Sequence, residues 1–236
     1  MPFFGKSKVE AIKQFYGLEL GENEIGILYL GLAGVLIRVG GKTIAIDISE
    51  MLGKSEAEAL QTLDYLLYTH GHYDHYNLRS CMWVFEETNT HIIAESSVYR
   101  ELKGRVPDDN LVEAREGDIL KFNGFTVRVI RGIHVGPIVL YLMDINGIKV
   151  FHGGDSGYVP LRGYSADLAF IPTGKPSPTA SPNDALRMSI DLKPKVVIPV
   201  HGSRSEHDEF ERLIEKNLPD VRVVLLSEFE VGKVSI

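Results

Sequence analysis

From residue 25 onward, short apolar runs alternate with turn residues, and the period of each run separates strands from helices. Residues 25–29, 35–39 and 43–48 are β-rich, and Gly40-Gly41 between the second and third predicts a hairpin. Ahead of them, Val9, Ile12, Phe15 and Tyr16 recur at helical spacing over 7–16, so residues 1–22 are expected to carry a peripheral N-terminal helix. A helix is predicted over 55–63 and a strand over 65–68, followed by a helix over 77–87 that should bury Leu78, Met82 and Phe85. The alternation resumes with strand 91–94, helix 96–102 and strands 111–113, 119–122, 125–130, 139–143 and 148–151. Asn146-Gly147 between the last two is a strong hairpin pair. After strand 168–171, prolines 172, 176, 178 and 182 predict a stiff, irregular loop. Ser181 and Pro182 then supply a cap and a first helical residue for a helix reaching about Leu192. Strand 196–200, helix 206–217 and a last core strand 221–225 complete the pattern.

A chain of 236 residues can bury a sizeable core, and a single domain over 1–236 is the simplest organisation. With 44% hydrophobic and 24% charged residues, the composition is that of an ordinary globular protein, which excludes disorder as its working state. No apolar run reaches the length of a membrane span, and residues 1–10 lack the apolar core of a signal peptide, so the expected compartment is the cytoplasm. The lone Cys81 excludes an intrachain disulfide and a thiolate-rich zinc site. A formal charge of -7 argues against a broad nucleic-acid surface, because such binding draws its affinity from lysine and arginine.

The candidate chemistry is concentrated in His70-Gly71-His72-Tyr73-Asp74-His75, directly after the predicted strand 65–68. On a strand, His70, His72 and Asp74 would face away from His75, and on a helix His70 and His72 would diverge. The four groups converge only if the chain leaves the strand at Thr69 and turns, which Gly71 permits. Converging imidazoles and carboxylate are the donor set of zinc and its neighbours. His134 and His201 also follow predicted strands, and so do Asp47 and the glycine-flanked Asp155. Asp47 could be a turn residue or a carboxylate that orients a ligand imidazole. His91, His152 and His207 are expected to be structural or surface residues.

With His70-x-His72-x-Asp74-His75, His134, Asp155 and His201 in this order, and Asp47 ahead of them, the chain resembles the metallo-β-lactamase superfamily from residue 25 to its end. The resemblance implies an α+β fold, a four-layer αββα sandwich with a binuclear metal site along one edge of its two sheets. It implies that His70, His72 and His134 hold one metal, that Asp74, His75 and His201 hold the other, and that Asp155 bridges them. Asp155 stands where the β-lactam hydrolases typically carry a cysteine, and His72 stands where the flavodiiron reductases carry a glutamate. The segments Gly31-Leu32-Ala33-Gly34, Gly153-Gly154-Asp155 and Pro199-Val200-His201-Gly202 are similar to the ascorbate-6-phosphate lactonase and N-acyl-phosphatidylethanolamine phospholipase D group. Leu32 departs from that group, which often has histidine there, so its substrates do not carry over.

Two divalent cations, zinc first with manganese or iron also accepted by these donors, would hold a water deprotonated near pH 7 between them, about 3.5–4 Å apart. The expected activity is metal-dependent hydrolysis of an ester, lactone or phosphodiester bond in a small anionic substrate. Asp74 is the expected proton-transfer group, and Lys175 and Arg204 are candidate anion contacts. A ribonuclease Z-like nuclease is the alternative, disfavoured by the acidic charge, and a non-catalytic metal sensor is the second. A homo-oligomer is compatible with all three.

Overall fold

The computed structural model describes residues 7–174 and 179–236. Two seven-stranded mixed sheets form its centre. The first half of the chain builds one of them: β1 (Glu24–Gly31), β2 (Gly34–Val39), β3 (Lys42–Ile46), β4 (Tyr65–Tyr68), β5 (His91–Glu95) and β6 (Leu111–Ala114), lying side by side in that order. The second half builds the other: β7 (Ile119–Phe122), β8 (Phe125–Arg131), β9 (Val139–Ile145), β10 (Ile148–His152), β11 (Leu168–Pro172), β12 (Val196–Val200) and β13 (Arg222–Val223). The chain then crosses back, and β14 (Glu230–Ser235) pairs antiparallel with β1.

Strand periodicity explains the layering, since alternate side chains leave each sheet on opposite faces. Ile25, Ile27, Ile37, Ile44 and Leu67 of the first sheet meet Val127, Val129, Tyr141, Met143 and Phe170 of the second in a central core. On the outer face of the first sheet, Leu28, Leu36, Leu66 and Ile92 pack under α1 (Lys8–Tyr16), α2 (Lys54–Glu58), α3 (Leu78–Thr88) and α4 (Ser96–Leu102). On the outer face of the second, Phe151, Ala169, Ile171 and Val197 pack under α5 (Pro182–Leu192) and α6 (Arg204–Asn217). The result is the four-layer αββα sandwich.

Three expectations need correction. The helix predicted over 55–63 stops at Glu58; Leu60 and Leu63 are still buried, but from an irregular segment whose Thr62 carbonyl accepts from the Tyr16 hydroxyl. In α3 the buried stripe is Ser80, Cys81 and Val84, and Leu78, Met82 and Phe85 sit half-buried on its flanks. The helix is therefore rotated so that its small residues lie closest to the sheet. Residues 221–225 contribute only the two-residue edge strand β13, whereas β14, whose residues are largely polar, was not foreseen. The N-terminal helix lies on the outside as expected, yet Ala11, Ile12 and Phe15 are fully buried and Ser7 caps it through a reciprocal bond with Glu10.

Candidate metal centre

The candidate ligands all leave the same edge of the sandwich. His70, His72, Asp74 and His75 follow β4, His134 follows β8, Asp155 follows β10, and His201 follows β12. The loop after β4 folds into a turn in which the His75 and Tyr76 amides donate to the His72 carbonyl at 3.0 and 2.8 Å. The Val139 amide donates to the Thr69 carbonyl at 3.0 Å, and the Tyr141 hydroxyl to the Tyr68 carbonyl at 2.7 Å, fastening the loop to the second sheet.

Two groups of donor atoms result, His70, His72, His134 and Asp155 in one and Asp74, His75 and His201 in the other, each with its atoms within 4.8 Å of one another. Asp155 reaches both. Its Oδ1 lies 3.5 Å from His70 Nε2, and its Oδ2 lies 3.3 Å from His134 Nε2, 3.6 Å from His75 Nε2 and 3.7 Å from His201 Nε2. Asp74 Oδ2 lies 3.7 Å from His75 Nε2 and 3.5 Å from His201 Nε2. His72 points its Nδ1 inward, 3.0 Å from His134 Nε2.

The residues behind these groups decide which ring nitrogen is a donor. Asp47, completely buried, accepts from the Thr69 amide at 2.8 Å, from the Thr69 hydroxyl at 2.6 Å and from His75 Nδ1 at 2.9 Å. A hydroxyl carries one proton, and Thr69 gives its proton to Asp47, so Thr69 Oγ1 accepts from His70 Nδ1 at 3.1 Å. His201 Nδ1 donates to the Gly174 carbonyl at 3.2 Å. The Nδ1 protons of His70, His75 and His201 are thus directed backward, and each Nε2 lone pair faces the centre. Orientation of ligand imidazoles by such outer partners is the usual construction of a metal site.

His70 Nε2, His75 Nε2 and Asp155 Oδ1 are buried without a hydrogen-bond partner among the described residues. Leaving such groups unpaired costs about 1–3 kcal/mol each, and a divalent cation in each group of donors would satisfy them, His70 Nε2 in one and His75 Nε2 in the other, with Asp155 within reach of both. Burial, followed by the neighbouring His75 and His72, drives the His70 pKa far below the imidazole range, so it stays neutral and able to ligate. Burial raises the Asp155 carboxyl, only partly offset by the surrounding histidines. At Asp74 burial acts upward, but the His201 hydrogen bond and the His75 charge outweigh it and hold the carboxyl at about 2.

Close packing fixes the carboxylate from the β10 turn. Gly154 has a left-handed backbone, φ 55°, and a Cβ there would lie 3.0 Å from Thr69 Oγ1. His152 is buried, with burial holding its pKa low; it binds the Ala33 carbonyl through Nε2 at 2.9 Å and accepts from the Gly154 amide at 3.2 Å. Ser156 holds the His134 loop, its Oγ accepting from the Ile133 amide at 2.9 Å. Thr69, His152, Ser156 and the Gly174 carbonyl carry no periodic or motif signal of their own; Thr69 is notable in sequence only for its place before His70. Arg204 opens α6 and pairs with Asp208 at 2.8 Å on the surface, and Lys175 lies outside the described residues.

A family model described as a beta-lactamase superfamily domain matches residues 26–201, and the chain belongs to the metallo-β-lactamase superfamily. A UPF0173 metal-dependent hydrolase of Geobacillus thermodenitrificans is 31% identical over 197 residues, covering 74% of this chain and 84% of that protein. Another, from Caldivirga maquilingensis, is 28% identical over 221 residues, covering 86% and 95%. Igni18, described as a novel metallo hydrolase from Ignicoccus hospitalis, has the same fold, with a TM-score of 0.77 at 21% identity over 90% of this chain and 99% of that one. The protein is a metal-dependent hydrolase. No helix among the described residues is long and apolar enough to cross a membrane.

Proposed function

We propose that the protein cleaves an ester, lactone or phosphodiester bond in a small anionic substrate at a site for two divalent cations, zinc first. His70, His72 and His134 form one ligand set, Asp74, His75 and His201 the other, and Asp155 lies between them. The observation that carries this reading is the set of three buried, unpartnered donors, His70 Nε2, His75 Nε2 and Asp155 Oδ1, converging on one region. Bound there, the cations would lower the pKa of water to about 7 and stabilise the developing oxyanion.

The chain's own residues supply orientation and proton handling. Asp47 and Thr69 keep His70 and His75 in the tautomer that offers Nε2. Asp74 is ionised at neutral pH and is less enclosed than Asp155, with side-chain exposures of 15% and 3%. In this reading it takes a proton from water and passes it to the leaving oxygen. Exclusion of bulk water is incomplete at His72, which is exposed, so substrate can enter on that side.

The test is metal analysis of protein purified without chelator, combined with turnover of a panel of phosphodiesters, lactones and esters. Two equivalents of metal, and activity lost on chelation and in Asp155→Ala, are expected. Activity that survives complete metal removal overturns the proposal.

A further inference from the structure

Beside Asp74 a cleft of about 230 Å³ opens, lined by the apolar side chains Leu30, Leu32, Met51, Tyr73 and Phe229. Its backbone is held in an unusual way. Of the eight non-glycine residues with left-handed backbone among those described, Leu32 (φ 49°), Ser49 (φ 43°) and Phe229 (φ 55°) all line it. For leucine and phenylalanine that conformation is costly, whereas asparagine, aspartate or glycine tolerates it. Strain of this kind persists only where surrounding bonds impose it, and it gathers at ligand sites. Here the bonds are evident: the Leu32 carbonyl accepts from the His201 amide at 2.8 Å and the Tyr29 hydroxyl at 2.8 Å, and the Phe229 amide donates to the Tyr29 carbonyl at 2.7 Å. The Ser49 hydroxyl donates to the Tyr73 carbonyl at 2.6 Å. The wall of the cleft is therefore tied to the metal-site residue His201 on one side and to the loop carrying Asp74 on the other.

The charges around it select the occupant. Glu50, Asp74 and Glu228 line the cleft, and its one cation among the described residues, Lys8, donates to the Met51 carbonyl at 3.1 Å and sits 4.8 Å over the Phe229 ring. Nothing there invites an anion. Tyr73 is 83% exposed beside it. An apolar cavity of about 150 Å³ already accepts benzene, so this volume suits one ring or a short chain.

We propose that this cleft is the subsite for an uncharged apolar substituent of the substrate, a short acyl or alkyl chain or a single ring attached next to the bond that is cleaved. The inference rests on the hydrolase site proposed above and adds a substrate class to it: an amphiphile whose polar head meets the metal centre and whose apolar group lies against Leu32 and Phe229. Leu32 and Phe229 are specificity residues, and Tyr73 offers the group they receive a further contact.

The test uses the metal-loaded full-length chain and two probe series: n-alkylphosphonates from methyl to hexyl, read as Kd by calorimetry, and p-nitrophenyl esters from acetate to hexanoate, read as kcat/KM. Each buried methylene should tighten phosphonate binding by up to about fourfold, levelling once the cleft is filled. Leu32→Asn keeps a residue suited to the left-handed backbone and should flatten the series; Tyr73→Ser, at an exposed position that does not threaten folding, should flatten it partly. A Kd independent of chain length in the native protein, or a slope that survives both substitutions, overturns the subsite. Esters turned over with a flat phosphonate series leave the hydrolase proposal standing and remove this one. Chain-dependent phosphonate binding without turnover of any ester supports the subsite and removes ester hydrolysis.

Discussion

Asp47→Asn probes the part of the centre that lies behind the candidate ligands. The native carboxylate accepts three hydrogen bonds, two from Thr69 and one from His75. An amide has one acceptor oxygen and a donating NH2 group, so it cannot accept all three. If the NH2 occupies the place of Oδ1, it opposes the Thr69 amide proton. If it occupies the place of Oδ2, the Thr69 hydroxyl must turn and donate to His70 Nδ1, and His75 Nδ1 must become an acceptor. Both rings then carry their proton on Nε2, the nitrogen needed by a cation. Loss of one charge-assisted bond in a buried setting costs about 1.5–3 kcal/mol. In a protein of this size that lowers Tm by roughly 2–4 °C per kcal/mol. The wrong tautomers should weaken metal binding by about 10–100-fold. Chelator competition gives the affinity, and thermal unfolding in excess chelator gives the stability without metal. Native metal affinity in Asp47→Asn, together with native affinity in Thr69→Val, would refute the proposed relay from Asp47 to His70.

Other perturbations test separate features. His72→Ala should abolish turnover and lower metal stoichiometry, measured by metal analysis of folded protein; full occupancy would exclude His72 as a ligand. Gly153→Ala would place a Cβ 2.6 Å from Pro172 Cδ and should cost about 1–3 kcal/mol by overpacking, read from denaturant midpoints. Removal of metal should lower Tm, because an ion that binds only the folded state stabilises it; an unchanged Tm would count against a structural contribution from the ion. The metal-free protein should lose stability on acidification. His70 and His152 have folded pKa values pushed down by burial, so their contribution is complete above about 6.5, the unfolded value, and is lost progressively as pH falls from there toward and through the lower folded values. His75 and Asp155 oppose this: burial lowers the His75 pKa but Asp47, with Asp155 and Asp74, more than compensates, and burial raises the Asp155 carboxyl, so each contribution is present at low pH and fades as pH rises through the higher folded value. Thermal unfolding in chelator from pH 5 to 8 should therefore show a net fall toward acid; a flat or inverse profile contradicts the balance.

Most of the sandwich was legible because strand period and turn chemistry agree over long stretches, as in 139–151 around Asn146-Gly147, where β9 and β10 form as expected. The helix 181–192 was legible from Ser181 and Pro182, and its capping bond with Asp184 is present. Features set by tertiary contact were not. The segment after Glu58 has helical spacing but buries Leu60 and Leu63 without helix. The polar β14 gains its place from pairing with β1, more than two hundred residues away in sequence. In the site, the clustered histidines announce themselves by type and spacing, and the structure brings their nitrogens together. Thr69 as a relay, and Leu32 as a strained wall rather than a mere departure from the related group, depend on a hydroxyl rotor and a backbone angle that no residue pattern encodes.

The return of the chain from β13 to β14 also bears on synthesis. Because Glu24 pairs with Ser235, the β1 border of the first sheet stays unprotected until residues 230–235 have been made and have docked. A nascent chain stalled before residue 230 would present the backbone of residues 24–29 to any other extended polypeptide, so chaperone demand should persist up to that point and fall sharply once residues 230–235 dock.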